Sequence, residues 1–414
     1  MPGRANQSWA KRLILFAVCL GCFGAYIWFA VTAYRAARFA ERSDRQSTEK
    51  AVALAPKDAT YHDLLCRGLM YSSQESRAVE ECTKASELNP YSSTIWLDLA
   101  QAQYASGKRE LTDIAIRKAL AVDPTTPDTA WSAANFFLIE GDTADALKQF
   151  AIVLRQEPSL VDPALSVCWQ SLHNAGPIES ILPRNPTVYL AFIKLLVSIG
   201  ELDPAEQVWS AFMQLDNVPD YHACLFYIDA LLHAGDVAQA SNAWRQLAAR
   251  SAAVKAYFQP DNLVMDASFT DEILNSAFGW RFAPRPQISA ALDRTEFHSG
   301  GRSIRLIYDG SGSDAGISQY IAVKANTKYR LSAWVKSDGL ETANGPALAL
   351  TDGYGNQVLG ATEETAGTTG WHRVETDVVT GPDTKLLILT ILRRPGETHI
   401  EGKFWVDDIV LQPL

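Results

Sequence analysis

The sequence has few of the residues and motifs on which enzyme active sites are usually built. Its 414 residues include only seven His and six Cys, and neither type is grouped with the spacing of a zinc site. The sequence also contains no Gly-Lys-Ser phosphate loop, nucleophile elbow or His-Glu-x-x-His motif. Glu363-Glu364 lie in a predicted loop, and Asp407-Asp408 are expected to point to opposite faces of a strand, so neither pair presents two carboxylates across a cleft. The sequence therefore predicts a protein without catalytic activity.

Basic residues are scarce beyond the amino terminus. The chain carries a formal net charge of −10, yet its first fifty residues hold eight Lys or Arg against three acids. The rest of the chain therefore carries −15. Such an acidic body disfavours nucleic acid, because affinity for that polymer comes largely from neutralising its phosphates. We expect no nucleic-acid partner.

Cysteine is too scarce and too scattered for a framework of disulfides. Two cysteines lie in an apolar amino-terminal stretch, and four lie in the helical repeats described below. Cys66 and Cys82 fall on the two helices of one predicted hairpin and could bond in an oxidising compartment. The sequence favours the other role, that of small apolar residues buried between the helices.

One long apolar run is present near the amino terminus. Residues 13–34 contain no charged side chain. At 1.5 Å per residue they span about 33 Å, enough to cross a bilayer core of about 30 Å, whereas a cleaved signal peptide has an apolar core of about 7–15 residues. The run therefore predicts a retained single-pass transmembrane helix, preceded by a tail over 1–12 and followed by a basic juxtamembrane linker over 35–50.

The strongest pattern in the sequence is a period of 34 residues. It is marked by four prolines at equal intervals: Pro56, Pro90, Pro124 and Pro158. Small residues recur in register at two positions of each interval: Ala78, Thr112 and Ala146, then Ala85, Ala119 and Val153. Ser73, Gly107 and Gly141 occupy the predicted turn, where glycine permits a positive φ. A fixed period of this length predicts one helical hairpin copied along the chain.

This pattern resembles the tetratricopeptide repeat. It is clear from 59 to 158, becomes degenerate over 159–185, where prolines interrupt the second helix, and returns in two weaker copies beginning at Pro186 and Tyr221. The resemblance implies an all-α solenoid over residues 51–256 whose groove binds a protein partner.

Helical spacing stops near residue 258. From there, short runs rich in β-branched and aromatic residues alternate with turn residues. Seven runs predict strands: 303–308, 317–323, 328–336, 347–351, 371–379, 385–392 and 403–411. This number of short strands predicts an all-β sandwich.

Five short stretches mark this region in order: Gly279-Trp280, then 298–303 (HSGGRS), 329–336 (YRLSAWVK), 370–374 (GWHRV) and 404–411 (FWVDDIVL). They resemble carbohydrate-binding modules of the jelly-roll, galactose-binding-like type. The resemblance covers most of residues 262–414 and implies a glycan-binding jelly-roll sandwich.

A sugar ring stacks its apolar face on an exposed aromatic, and its hydroxyls bind polar side chains. Strand alternation places Trp334 on the polar face of its predicted strand and Tyr320 on the outer face of another. Asp352 and Tyr354 stand in a glycine-rich turn, and Trp280 belongs to the first stretch. We expect the glycan contacts among these five residues. The alternatives are that a loop covers Trp334, that Asp352 and Tyr354 only form a turn, and that Trp280 packs in the core.

Members of this family often hold a structural calcium ion that ties the first strand to the last. Asp408 on the last predicted strand and Glu296 before the 298–303 stretch match that pattern. The resemblance therefore implies structural calcium as the one cofactor. The alternative is that Asp407 and Asp408 only cap the final strand or form salt bridges there.

These features predict a non-catalytic, membrane-anchored scaffold of the bacterial cell envelope that binds a protein partner through its repeats and a polysaccharide through its sandwich, in exopolysaccharide or envelope assembly. The charges flanking the apolar run are nearly balanced, so the predicted location, single-pass in the inner membrane with the domains facing the periplasm, rests on the architecture. Two alternatives stay open. The sandwich could cap the solenoid without binding sugar, or the chain could be an accessory subunit of a polysaccharide synthase or hydrolase.

Overall fold

The computed structural model describes residues 5–42, 44–216, 220–393 and 398–414, with the backbone alone for 5–8 and 10. The chain divides into two compact units, within 1–183 and 184–414. Helices α1 to α10 belong to the first unit: Ala5–Ala40, Arg45–Leu54, Ala59–Tyr71, Glu75–Leu88, Ser93–Ala105, Arg109–Val122, Pro127–Glu140, Thr143–Gln156, Val161–Leu172 and Ala175–Glu179.

The second unit contains helices followed by strands. Its helices α11 to α15 are Pro186–Ser198, Leu202–Phe212, Leu225–His233, Val237–Arg250 and Ala252–Ala256. Its strands β1 to β10 are Arg281–Phe282, Ile288–Asp293, Ser303–Gly310, Asp314–Ala322, Lys328–Glu341, Ala347–Asp352, Val358–Ala361, Gly367–Val379, Leu386–Leu392 and Ile400–Pro413. Because this unit joins the last repeats to the sandwich, the domain boundary expected between 256 and 262 stays a prediction.

Helix α1 contains the apolar run. Its segment Lys11–Ala40 is long and apolar enough to cross a membrane, by length and composition. Its large apolar side chains face outward, as in Trp28 (71% exposed). This length and composition are typical of a signal sequence or a membrane anchor.

The predicted repeat register is confirmed in the first unit. Helices α3 to α8 form three successive hairpins that stack on one another. The six small residues expected in their interior are fully buried. Gly107 and Gly141 have φ of +72° and +83° at the hairpin turns, and Ser73 takes φ +52° at the first. The 34-residue period therefore reflects the positions where the backbones of two helices come close and the positions where the chain turns.

One expectation for the first hairpin is wrong. Cys66 on α3 and Cys82 on α4 are joined by a disulfide, with Cα atoms 5.4 Å apart. Both residues are fully buried, as predicted, and they are also bonded to each other. The close helix packing that favours small side chains also brings the two Cα atoms within disulfide range.

The carboxy-terminal sandwich consists of two five-stranded antiparallel sheets. The first sheet has the order β1-β4-β9-β6-β7 and the second the order β2-β3-β10-β5-β8. All seven predicted strands are present, and β1, β2 and β7 are additional. Alternate residues of both sheets fill one apolar core between them, including Leu331, Leu389 and Phe404. The predicted class, an N-terminal helix, a solenoid-like helical region and a β-sandwich, is confirmed.

Candidate functional site

Three rings meet on the outer face of the second sheet, and we call them the aromatic patch: His298, Trp334 and Trp371. Trp334 projects from β5 on the face opposite the core residues Ala333 and Val335. The His298 ring stacks on its indole, with centroids 3.9 Å apart and planes 12° apart, and meets Trp371 of β8 edge-on at 6.0 Å. One indole face of Trp334 is thus covered by a neighbouring loop, while both tryptophans stay partly exposed.

Charged groups support the patch from the same face. Lys336 Nζ contacts Glu296 Oε2 at 2.6 Å and lies 5.5 Å from the ring centroid of Trp405. Trp405 is buried, and its indole N–H donates to Asp293 Oδ2 at 3.0 Å, an oxygen that Arg305 also approaches at 3.1 Å. These contacts fix the β-strand residues beneath the rings.

The carboxyl group of Asp293 is held ionised. Burial opposes ionisation, but hydrogen bonds from the Thr295 hydroxyl, the Trp405 indole and the backbone N–H groups of Thr295 and Glu296 hold the pKa of Asp293 well below its usual range. Asp293 is therefore ionised at neutral pH, where it accepts from Arg305 and the Trp405 indole.

The last strand anchors His298 through a bulge, which corrects the expectation for Asp407 and Asp408. The register shifts between Asp407 and Val410, and Asp408 has φ +46°. This left-handed residue turns the second carboxylate toward the same loop as the first. Asp407 Oδ2 accepts from the N–H groups of His298 (2.7 Å) and Ser299 (2.9 Å), and Asp408 Oδ2 contacts His298 Nδ1 at 2.5 Å. The two acids therefore do not point to opposite faces.

The environments of these two acids shift their pKa values in opposite directions. Burial and the neighbouring Asp408 raise the pKa of Asp407 to about 6, against the hydrogen bonds it accepts. Burial opposes ionisation of Asp408 too, but bonds from Ser268, Ser299 and His298 lower its pKa.

The two predicted calcium ligands, Glu296 and Asp408, make other contacts in this structure, and the structural calcium ion stays a prediction. Glu296 is paired with Lys336, whereas Asp408 accepts from the hydroxyls of Ser268 and Ser299 and contacts the imidazole of His298. Calcium requires six to eight oxygen ligands around one point. Within the described ranges, no group of three or more His, Cys, Asp or Glu is placed to hold a metal. Here the Ser268–Asp408 hydrogen bond itself ties the first segment of the domain to the last strand.

On the outer face of the first sheet, Tyr320 meets helix α13 through a cluster that we call the helix–sandwich joint: Asp229, Ser276 and Arg281. Asp229 of α13 accepts from Arg281 at 2.7 Å, from the backbone N–H of Ala277 at 2.9 Å and from the hydroxyl of Ser276. The guanidinium of Arg281 lies 4.1 Å from the ring centroid of Tyr320. Tyr320 is on the outer face, as predicted, but one face of its ring contacts a cation of the joint.

Asp352 and Tyr354 form a turn that also reaches the helices. Asp352 Oδ1 accepts from the backbone N–H groups of Tyr354 (3.0 Å) and Gly355 (2.6 Å), and its Oδ2 accepts from Thr384 at 2.5 Å. The Tyr354 hydroxyl donates to the carbonyl of Leu232 at 2.7 Å. Both predicted sugar ligands are thus engaged within the second unit.

Trp280 is a core residue, which corrects its inclusion among the sugar contacts. It is 2% exposed, its ring packs against Phe269 at 5.0 Å, and its indole N–H donates to the carbonyl of Asp266. The early position of a Gly-Trp pair carries no information on burial, because Trp280 becomes enclosed only when distant strands pack over it.

A groove that the sequence did not predict lies at the β7 edge of the first sheet. It has a volume of about 550 Å³, and its lining includes Ala347, Ala349, Ala361 and Glu363. Small residues on neighbouring strands leave this space because their side chains fill so little of the outer face. Their alternation with core residues such as Leu348 and Leu350 is the signal in the sequence.

Comparison with known proteins supports the assignment of the sandwich. Residues 261–395 match the family described as carbohydrate binding domain. No curated protein matches the chain. A solved structure of Pseudomonas aeruginosa PilF is 19% identical over 46% of this chain and 90% of its own, with a TM-score of 0.27.

Two further solved structures are similar to separate parts of the chain. TmCBM61 in complex with β-1,4-galactotriose is 20% identical over 37% of this chain and all of its own, with a TM-score of 0.28. MamA is 14% identical over 42% of this chain and 86% of its own, with a TM-score of 0.27. The chain joins an apolar amino-terminal helix and a helical region with a 34-residue hairpin period to a sandwich whose residues 261–395 match a carbohydrate-binding family.

Proposed function

We propose that this chain is a membrane-anchored scaffold of the bacterial cell envelope, whose repeats bind a protein partner and whose sandwich binds glycan. Its place would be in exopolysaccharide or envelope assembly, where a repeat protein gathers partners beside the polymer. An accessory subunit of a polysaccharide synthase or hydrolase would have the same parts. In this function the chain recognises a protein partner and a glycan and performs no catalytic step.

The aromatic patch is the feature that most supports glycan binding. It places two partly exposed tryptophans and an imidazole side by side on a sheet face, inside a domain that matches a carbohydrate-binding family. Aromatic rings offer the flat apolar surface that a sugar ring needs, and Lys336 and Glu296 offer hydrogen bonds at its border. Because His298 covers one face of Trp334, the sugar would contact the exposed parts of Trp334 and Trp371.

The Cys66–Cys82 disulfide supports a location outside the cytoplasm. Disulfides persist in the periplasm and at the cell surface and are rare in the reducing cytoplasm. With α1 as the anchor, this bond favours an inner-membrane protein whose domains face the periplasm. When intact cells are quenched with acid and free thiols are then labelled under denaturing conditions, which exposes these two buried residues, Cys66 and Cys82 should remain unlabelled. Labelling of both would overturn the proposed location.

A second role, the capping of the helical region, is favoured by the helix–sandwich joint. A repeat array needs a polar cap over its last stacking face, and Asp229, Arg281 and Tyr354 bond the sandwich directly to α13. The two roles use different sheets. Capping by the first sheet leaves the second sheet free for glycan.

The test of glycan binding uses the full chain in detergent micelles and a panel of soluble neutral polysaccharides: β-glucan, galactan, xylan and mannan. We expect calorimetric titration to detect at least one ligand, and Trp334→Ala to weaken it by about tenfold or more. Tyr91→Ala, which removes an 85% exposed aromatic of the repeat region, should bind as the wild type does. A folded chain that binds none of the panel, or an undiminished Trp334→Ala variant, would contradict the proposal.

A further inference from the structure

A cleft opens where helix α14 meets strand β4 of the sandwich. Its volume is about 270 Å³, just below the roughly 300–1,000 Å³ of typical ligand pockets. Such a space suits one sugar ring rather than an extended chain. One wall is formed by α14 and the other by the sandwich, so only the second unit as a whole creates the cleft.

Most of the lining is apolar and aromatic. Phe258 and Tyr320 are half-buried and line the cleft together with Met265, Phe278 and the buried Trp244. The Trp244 and Phe258 rings are stacked, with planes 26° apart. These rings can receive the C–H face of a sugar.

Two polar atoms of the lining residues lack partners. The indole N–H of Trp244 and the hydroxyl of Ser241 are buried and make no hydrogen bond with the described residues. Buried polar atoms are almost always paired, and an indole N–H can only donate. Both atoms belong to residues that line the cleft, so the chain itself leaves polar groups of this wall unsatisfied.

The charge of the lining points to an anion. Arg245 is exposed and lines the cleft, and its Nε donates to the carbonyl of Ser241. Among the described residues, no carboxylate pairs with Arg245, and no acidic side chain belongs to the lining. Arg245 therefore gives this cleft a positive charge, in a chain whose net charge is −10. A guanidinium binds a carboxylate through two parallel hydrogen bonds.

We propose that the cleft binds one carboxylated sugar unit, a uronic acid, of an acidic polysaccharide. The ring would lie against Phe258 and Tyr320, and the carboxylate would pair with Arg245. This inference rests on the proposed function, because it takes the chain to be a glycan-binding protein, and it adds a second site with its own ligand class.

The experiment uses the full chain in detergent micelles and short oligomers of galacturonate, glucuronate and mannuronate, each beside its carboxyl-reduced counterpart. We expect at least one uronate oligomer to bind more tightly than its reduced counterpart. Arg245→Met should remove that preference, an effect of about tenfold, and leave binding of the reduced oligomer unchanged. Arg109→Met, which removes a 75% exposed Arg of the repeat region, is the matched control and should have no effect.

The remaining outcomes separate this inference from the proposed function. Neutral binding that depends on Trp334, without any preference for uronates, would overturn the cleft and keep the patch. A preference that survives Arg245→Met would also overturn the cleft. A preference that requires Arg245 and is unaffected by Trp334→Ala would support the cleft as a site separate from the patch. No binding by any oligomer would overturn the cleft, and the titration with neutral polysaccharides would then decide the patch by itself.

Discussion

The two outer faces of the sandwich carry the same kinds of residues and use them differently. On the first sheet, Tyr320 and Arg281 are stacked together and bonded to helix α13 through Asp229. On the second sheet, Trp334 is stacked with His298 on a face that also carries the exposed pair Arg373 and Glu375. A half-buried aromatic on an outer strand face therefore does not identify a ligand site by itself, because its neighbours decide whether it holds two elements together or meets solvent.

The source of the covering residue also differs between the faces. His298 comes from a loop of the sandwich, and the bulge at Asp407 and Asp408 fixes it in place. Asp229 comes from a helix 52 residues before Arg281. The first sheet is thus completed by another structural element, whereas the second is completed within its own domain.

The largest expected effect comes from breaking the helix–sandwich joint. Asp229→Ala would leave Arg281, only 19% exposed, without its carboxylate. We expect the free energy of unfolding to fall by about 2–4 kcal/mol, because a largely buried charge would lose its partner. Denaturant unfolding of the full chain measures this loss.

The matched control for that variant lies on the other face. Asp377→Ala removes a carboxylate that pairs with the more exposed Arg330 and Lys328, and we expect little change in the free energy of unfolding. Equal losses in the free energy of unfolding for Asp229→Ala and Asp377→Ala would contradict the difference inferred between the two sheet faces.

A smaller effect, with a defined pH dependence, is expected from Asp293→Asn on the second sheet. Because the folded-state pKa of Asp293 is lowered, its contribution to stability is present above the unfolded value of about 4 and is lost as the pH falls further. We expect the variant to lose about 1–2 kcal/mol at pH 7, after a discount for solvent screening. The deficit should shrink toward pH 3 in thermal unfolding, and a deficit independent of pH would refute this account of the Asp293 carboxylate.

The smallest effect is expected where only one ring contact changes. Tyr320→Leu keeps apolar bulk but removes the aromatic face under Arg281, so we expect a loss of about 0.5–1 kcal/mol in the free energy of unfolding. Binding of neutral polysaccharide at the aromatic patch should be unchanged, whereas Trp334→Ala should weaken it by about tenfold or more. If Tyr320→Leu weakened neutral glycan binding as strongly as Trp334→Ala, the two faces would have to be reassigned.

Patterns that repeat locally were predictable. The small residues and turn glycines of the 34-residue period lie where two helices touch or reverse, and those constraints act within a few residues of each other. The seven main strands were found because β-branched and aromatic residues alternate along them. The short β1 has two residues, β2 is weakened by Ala290 and Ala291, and β7 contains Gly360, so these three strands carry little alternation for a sequence pattern to detect.

The site residues were predicted less well, and the reason is physical. Alternation correctly placed Trp334 and Tyr320 on outer faces, because a strand's period fixes which side a residue takes. It does not show what covers that side. His298 covers Trp334 and Arg281 covers Tyr320, and both come from segments distant in sequence. The carbonyl of Leu232, which accepts from the Tyr354 hydroxyl, is also distant in sequence from its partner.

The sequence by itself determined the hairpin repeat, the apolar helix and the strand alternation, because each follows from short-range periodicity or composition. Only the tertiary structure decided the Cys66–Cys82 bond, the burial of Trp280 and the bulge that turns Asp408 toward His298. The same holds for the joint at Asp229 and the cleft beside Arg245. Each of these depends on side chains far apart in the chain meeting at one point, and that meeting is decided by the packing of helices and sheets.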